Sequence, residues 1–385
     1  MDFTRDGAPG RDGAIVHGVN NHGVRPIVSL TAARGLAAWW VVLYHYQIQI
    51  APLLPGALQR FVAAGYLAVD FFFVLSGFVI ALNYLESFRQ LSASGIGRFL
   101  WLRLARIYPL HIVMLVAFLT VPLAIVALSA AKSPGAQFEP GYFALSVVLL
   151  QNWGFTDQLG WNVPAWSIST EWAAYLLFPA FAWFAIRRLR RPSAASLAIV
   201  VCLAALTLLL WATGHTLGDD IPHLGLPRCL AEFAAGASLY CIWRTQRAAK
   251  TAYAGAALIA ALLLVVLYVW LPIPDTLVFP AAFVLAVYAL ATRGFWLTRW
   301  LSWRPLVAIG EVSYATYLLH FFVKRWTEFL LVGNGLPDAV GVAFYVVATA
   351  AGSVALYWLV EVPGRRRMRD ALALSRRVAV EPSVT

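Results

Sequence analysis

Charge is what this 385-residue chain has least of: 12% of its residues are charged and 61% are hydrophobic, with a mean hydropathy of +0.73. No soluble domain of this length needs so apolar a composition to fill a core, so an integral membrane protein is expected. Cysteine is nearly absent. Cys202, Cys229 and Cys241 are scattered and mostly sit in apolar runs, which argues against a disulfide framework and against a clustered zinc site, and no metal is expected. The first 26 residues are Gly-rich and polar, with neither an apolar h-region nor a cleavage site. A removable signal peptide is therefore not expected, and the first span serves as the insertion signal. No inverted internal repeat of the transporter kind is visible.

What the chain has in abundance is apolar runs of helical length. Read against their Pro, Gly and charged breaks, they give ten spans near 28–50, 67–85, 106–128, 167–186, 194–212, 227–243, 252–270, 276–292, 307–323 and 339–360. The expected fold is all-α and polytopic: a cytoplasmic N-terminal tail over 1–26, a transmembrane domain over 27–364 and a basic cytoplasmic tail over 365–385. The stretch from Tyr142 to Leu150 is too short to cross and reads as re-entrant or interfacial. Sixteen Trp and fifteen Tyr suit interfacial belts and ring-lined cavities. With both ends inside, 23 basic residues fall on the cytoplasmic side and five outside (Arg60, Lys132, Arg228, Lys324, Arg325), leaving Arg34 in the membrane to complete the 29. That split supports N-in and C-in in a cytoplasmic membrane. It also spreads the +11 charge over loops instead of one patch, which speaks against nucleic acid as a partner.

Polar residues inside the runs are the candidates for chemistry. Arg34 and His45 are eleven residues apart in RGLAAWWVVLYH, so at about 100° per residue they share one helix face, roughly 16 Å apart along the axis. A charge at mid-membrane costs on the order of 3 kcal/mol, which makes an intramembrane ionisable residue a functional candidate. The bland alternative is a snorkelling arginine and a satisfied core histidine. Asp70 opens the second span, where it either orients an inward His or Arg or caps the helix; Gly77 reads as close helix approach. Arg98, Arg103 and Arg106 stand at the cytoplasmic entrance of the third span. The three-residue spacing of Arg103 and Arg106 suits a forked phosphate clamp, against the bland reading of positive-inside charge. QNWGFTDQLGWNVPAWSISTEW interleaves Trp153, Trp161, Trp166 and Trp172 with Asn152, Asn162 and Ser167, which suggests a sugar-binding lining or else an aromatic belt. Glu171, one turn inside the fourth span, needs a partner, for which Arg34 and His45 are candidates. His215, Asp219, Asp220 and His223 read as a solvated loop more than as a metal site. Glu311, Ser313, Tyr314, Tyr317 and His320 lay a second polar track along the ninth span.

These motifs together resemble the membrane acyltransferase-3 family over about residues 27–364. The resemblance rests on Arg34 and His45 with ten residues between them, VDFFFVLSGF at 69–78, RLARIYP at 103–109, WSISTEW at 166–172 and SYATYLLH at 313–320, in that order. It implies an acyl-CoA donor, commonly acetyl-CoA, approached from the cytoplasm, and a hydroxyl acceptor on a surface polysaccharide, lipid-linked glycan or similar molecule. It carries an essential role to Arg34 and His45 and a donor-phosphate role to Arg103 and Arg106, with Tyr108 beside them. Glu171 is taken as a further catalytic group, and Asp70, Trp166, Ser167, Ser313, Tyr314 and His320 as substrate contacts. His45 acts as general base or transient acyl acceptor. A stand-alone member is expected, without the SGNH hydrolase-like domain fused to some relatives. A transporter or flippase that forms no bond is the alternative, and a polyprenol-dependent glycosyltransferase using Asp219 and Asp220 a more distant one.

Overall fold

The computed structural model describes residues 27–128, 133, 135–245 and 251–380, and every regular element among them is a helix. The expected N-terminal tail 1–26 lies outside the described residues, as do Lys132, Arg247, Lys250 and residues 381–385. Ten main helices follow the ten apolar runs: α1 (Val28–His45), α2 (Ala68–Tyr84), α3 (Ala93–Ala117), α4 (Trp166–Arg188), α5 (Pro192–Thr213), α6 (Ile221–Thr245), α7 (Thr251–Trp270), α8 (Asp275–Ala291), α9 (Ser313–Leu330) and α10 (Asp338–Leu356). Five helical stretches are long and apolar enough to cross a membrane, or six if α9 and the short helix Arg304–Glu311 before it count as one bent span. The chain is thus an all-α, polytopic membrane protein. The other four runs fall short for physical reasons: α8 has only 17 residues, and α1, α4 and α6 carry Arg34, Glu171, Arg228 and Glu232. The helices that miss the apolar test are mostly those that build the interior.

Glycine sets two of the closest helix contacts. A Cβ on Gly77 of α2 would run into the Phe233 carbonyl of α6, and one on Gly236 of α6 into the Val74 carbonyl of α2. Likewise, a Cβ on Gly35 of α1 would lie 2.6 Å from the Gly310 nitrogen. Small residues let backbones touch where no water-driven collapse between helices is available. The far end of α1 is held by α10: Tyr345 donates to the Val42 carbonyl at 2.8 Å and stacks on Tyr46 at 4.4 Å.

Between α3 and α4 the chain makes the short helix Pro140–Val147, in line with the expected non-crossing segment, then a non-helical stretch to residue 162 and a 3-10 turn over Val163–Ala165. Leu149 and Trp161 there take positive φ values of 62° and 52°. Irregular backbone persists at membrane depth only where protein satisfies it. The side-chain amides of this stretch tie it to its neighbours: Gln151 donates to the Ala165 carbonyl (3.0 Å), Asn152 to that of Ile221 at the start of α6 (3.1 Å) and Asn162 to that of Leu318 in α9 (2.9 Å). Both Asn152 and Asn162 are buried, with their side-chain nitrogens bound to backbone carbonyls and their Oδ1 atoms without a donor among the described residues.

Candidate active site

A cavity of about 300 Å3 runs into the bundle from the end where α1 and α9 begin and α2 finishes. Eight of the sequence candidates line it: Arg34, Arg103, Arg106, Ser167, Glu171, Ser313, Tyr314 and Tyr317. They come from four helices, and each is fixed by a neighbour the sequence did not reveal.

Arg34 is held by the break before α9. The helix Arg304–Glu311 ends there at a 62° bend, which leaves carbonyls without an intrahelical partner. Arg34 Nη2 donates to the Gly310 carbonyl at 2.8 Å and its Nε to Ser313 Oγ at 2.9 Å, while Ser313 Oγ donates to that same carbonyl at 2.7 Å. A cation at a helix C-terminus is favourable, and the close approach at Gly35 lets the guanidinium reach it. Glu171 meets neither of its expected partners, Arg34 and His45. Its Oε1 instead accepts from Tyr175 at 2.5 Å, one turn along α4, and from Ser76 of α2.

Arg103 and Arg106 do share one face of α3, with different partners. Arg103 Nη2 donates to Tyr84 Oη at 2.7 Å, whereas Arg106 forms an ion pair with Glu361 and lies 5.0 Å from the Tyr314 ring centre. Glu361 ends a single π-helical turn, Tyr357–Glu361, and is 2% exposed. Such turns often mark functional positions, yet nothing local in the sequence announced this one. Tyr108 does not line the cavity. Its ring lies 6.4 Å from that of His111.

At the inner end of the cavity Ser167 Oγ and Tyr317 Oη are 2.8 Å apart, and Tyr317 also donates to the Pro164 carbonyl. Beyond that closure lie the two histidines. Tyr317 is 5.9 Å from His320 between ring centres, and His320 Nε2 is 3.3 Å from His45 Nδ1. Backbone carbonyls settle the protons: His45 Nδ1 faces the Val41 carbonyl at 3.0 Å and His320 Nδ1 that of Thr316 at 3.3 Å. Each neutral ring therefore carries its hydrogen on Nδ1. His45 Nδ1–H is shared between Val41 and the bare Nε2 of His320, and His45 Nε2 keeps its lone pair, with no hydrogen-bond partner among the described residues. His320, expected as a substrate contact, is completely buried, with its Nε2 against His45.

Two further candidates lie elsewhere. Asp70 is fully buried and receives Arg228 Nε and Nη2, each at 2.6 Å, while Arg228 also donates to the Leu217 carbonyl. Trp166 covers this pair, its ring 5.8 Å from the guanidinium. Neither Asp70 nor Trp166 lines the cavity; both sit at the α2–α6 contact. Arg228, expected as an outside loop charge, is instead on α6 and 3% exposed. Of the outer-loop acids and histidines, Asp219 is bound to Thr216, and His223 lies 2.8 Å from Asp220. That hydrogen bond raises the His223 pKa above the ordinary imidazole value.

Against known proteins, a family model described as "Acyltransferase domain" matches residues 27–358. The acyltransferase MdmB of Streptomyces mycarofaciens is 32% identical over 374 residues, covering 88% of this chain and 93% of that protein. The O-acetyltransferase OatA of Staphylococcus aureus is 22% identical, covering 91% of this chain and 59% of its own. The peptidoglycan O-acetyltransferase OatA of Listeria monocytogenes is 25% identical over 77% of this chain and 49% of its own. This chain thus spans about half to three-fifths of those two longer relatives. No solved structure matches.

Proposed function

The chain belongs to the acyltransferase-3 family and is a membrane acyltransferase; from that premise we propose that it moves an acyl group, acetyl above all, from acyl-CoA to a hydroxyl of a surface polysaccharide, lipid-linked glycan or similar acceptor. The carrying observation is the cavity with arginines at its mouth that leads toward a histidine with a free ring nitrogen. Arg103 and Arg106 hold the donor phosphates, Arg106 exchanging Glu361 for phosphate oxygens. Guanidinium groups suit that task because they pair with two oxygens at once. The thioester arm enters past Arg34, and the closure between Ser167 and Tyr317 opens to admit its tip to His45.

The chemistry follows from the tautomer. His45 Nε2 takes the hydroxyl proton as the acceptor oxygen attacks the thioester carbon; a C–O bond forms, the C–S bond breaks, and the proton passes to the leaving thiolate. His320 accepts from Nδ1–H and so steadies the imidazolium that forms in between. Acyl transfer through a transient acyl-histidine uses the same nitrogen. Glu171, tied to Ser76 and Tyr175, supplies the negative charge of the cavity wall. Support for an acetyl group and a glycan acceptor comes from the relatives named O-acetyltransferase and peptidoglycan O-acetyltransferase.

The test is transfer of label from radiolabelled acetyl-CoA to envelope material in membranes carrying the wild type or His45→Ala. The variant is expected to lose at least a hundredfold in rate while being inserted normally. Unchanged transfer would overturn the assigned base.

A further inference from the structure

A second cleft, of about 630 Å3, opens at the end of the bundle away from Arg103 and Arg106, between the helix Thr120–Leu128 and the last turns of α9. Its two walls differ in kind. One is aliphatic, with Val121, Ala124, Ile125 and Leu128; the other carries Gln137, Arg325, Trp326 and Glu328. The polar wall is pre-arranged: Arg325 Nη2 donates to Gln137 Oε1 at 2.5 Å, and Lys324 holds Glu328 Oε1 at 2.7 Å. Trp326 Nε1 is buried without an acceptor among the described residues. A buried indole N–H normally finds a partner, so this one lacks an oxygen that a bound molecule can supply.

One aromatic ring separates this cleft from the histidine pair. Phe321 sets its edge against His45, with ring centres 5.6 Å apart and planes at 82°. Arg325 and Lys324 lie over the same ring at 5.2 and 5.5 Å from its centre. The cavity of Arg34, Arg103 and Arg106 meets the pair from the opposite direction, through Tyr317. The histidines thus stand between two compartments of different chemistry.

We propose that the second cleft binds the acceptor, as a sugar joined to an apolar carrier, and that Phe321 is the specificity-determining partition between it and His45. An indole and an amide, carboxylate and guanidinium set suits a ring bearing several hydroxyls, which it stacks and hydrogen-bonds at once. The aliphatic wall suits the carrier, lipid or otherwise. A phosphate-rich donor is disfavoured in this cleft, because Gln137 already engages Arg325, the cation of its wall, and Glu328 lines the same wall. This assignment rests on the acyl-transfer reading for its purpose, but the cleft can be tested without turnover.

In protein freed of its own cysteines and held in nanodiscs, Leu128→Cys, which lines the cleft and leaves Trp326 in place, is labelled with a membrane-impermeant maleimide in the presence of hexyl glycosides (glucoside, galactoside, N-acetylglucosaminide), hexanol or methyl glucoside. At least one hexyl glycoside should slow labelling fivefold or more, hexanol less than twofold. Slowing by methyl glucoside to the same degree would make a free sugar, not a carried one, the occupant and overturn the carrier part. No protection by any glycoside, or equal protection by hexanol, overturns the acceptor site. In a second experiment, thiol release from acetyl-CoA is followed in wild type, Phe321→Ala and Gln137→Ala. Phe321→Ala should raise release to water at least fivefold by opening the partition. Gln137→Ala should leave the KM for acetyl-CoA within twofold of wild type, and a tenfold rise would place the donor in this cleft. Failure of every form to release thiol would sink the acyl-CoA reading and leave the labelling result to decide the cleft.

Discussion

At the residue scale the decisive relation is between two side chains 275 positions apart. His45 was legible in sequence because a titratable ring in an apolar helix is costly, and Arg34 for the same reason. Their partners were not: His320, Gly310 and Ser313 reach them only through the packing of α9 on α1, and Glu361 reaches Arg106 across 255 residues. A positioning role for His320 has a measurable consequence. His320→Leu removes the acceptor of His45 Nδ1–H and is expected to lower kcat ten- to hundredfold at unchanged KM for the donor, as losses of an orienting hydrogen bond to a functional histidine typically do. His320→Gln can restore an acceptor oxygen and should recover part of the rate. Equal losses in both variants, accompanied by a lowered melting temperature, would make His320 a packing residue only.

At the element scale the bundle depends on backbone contacts that a single methyl group would disturb. The apolar runs foretold most of α1 to α10, yet not that α3 begins at Ala93 with the end of its run in a separate helix Thr120–Leu128, nor the bend between Glu311 and Ser313 or the π turn that Glu361 ends. Periodicity reports which face is apolar; it carries no record of a carbonyl turned out to meet an arginine. Gly310 is the one local sign, since a Cβ there would strike the Thr31 carbonyl of α1. Gly310→Ala and Gly236→Ala are therefore expected to destabilise by about 1–3 kcal/mol through overpacking. Gly97→Ala, in α3 with nothing within 4 Å of a Cβ, should instead stabilise by up to about 1 kcal/mol from helix propensity. Thermal denaturation of the three variants in one detergent checks the order. Gly310→Ala should also raise the KM for acetyl-CoA, because displacing that carbonyl frees Arg34, whereas Gly236→Ala, away from the cavity, should not.

At the scale of the whole molecule, basic side chains from the last turns of separate helices converge on the end where the arginine-lined cavity opens. Arg187 donates to the Arg89 carbonyl at 3.4 Å, and Arg244 pairs with Glu86 at 2.7 Å, joining the ends of α2, α4 and α6 beside α3. The basic residue count expected for the outside needs one correction, since Arg228 belongs to a buried pair. Lys324 and Arg325 of the opposite end are tied to Glu328 and Gln137. If the basic end faces the cytoplasm, acyl-CoA, which does not cross a bilayer, can be consumed only from that side. Sealed inverted vesicles should then release thiol from added acetyl-CoA at the full rate, and right-side-out vesicles should do so only after permeabilisation. Raising the salt from about 50 to about 500 mM should weaken donor binding severalfold in the inverted vesicles, since exposed charges are screened within a few ångströms at the higher ionic strength. Arg103→Ala should remove much of that salt dependence. Equal thiol release from both vesicle types would contradict the orientation, and a salt response unaltered in Arg103→Ala would move the donor phosphates away from this mouth.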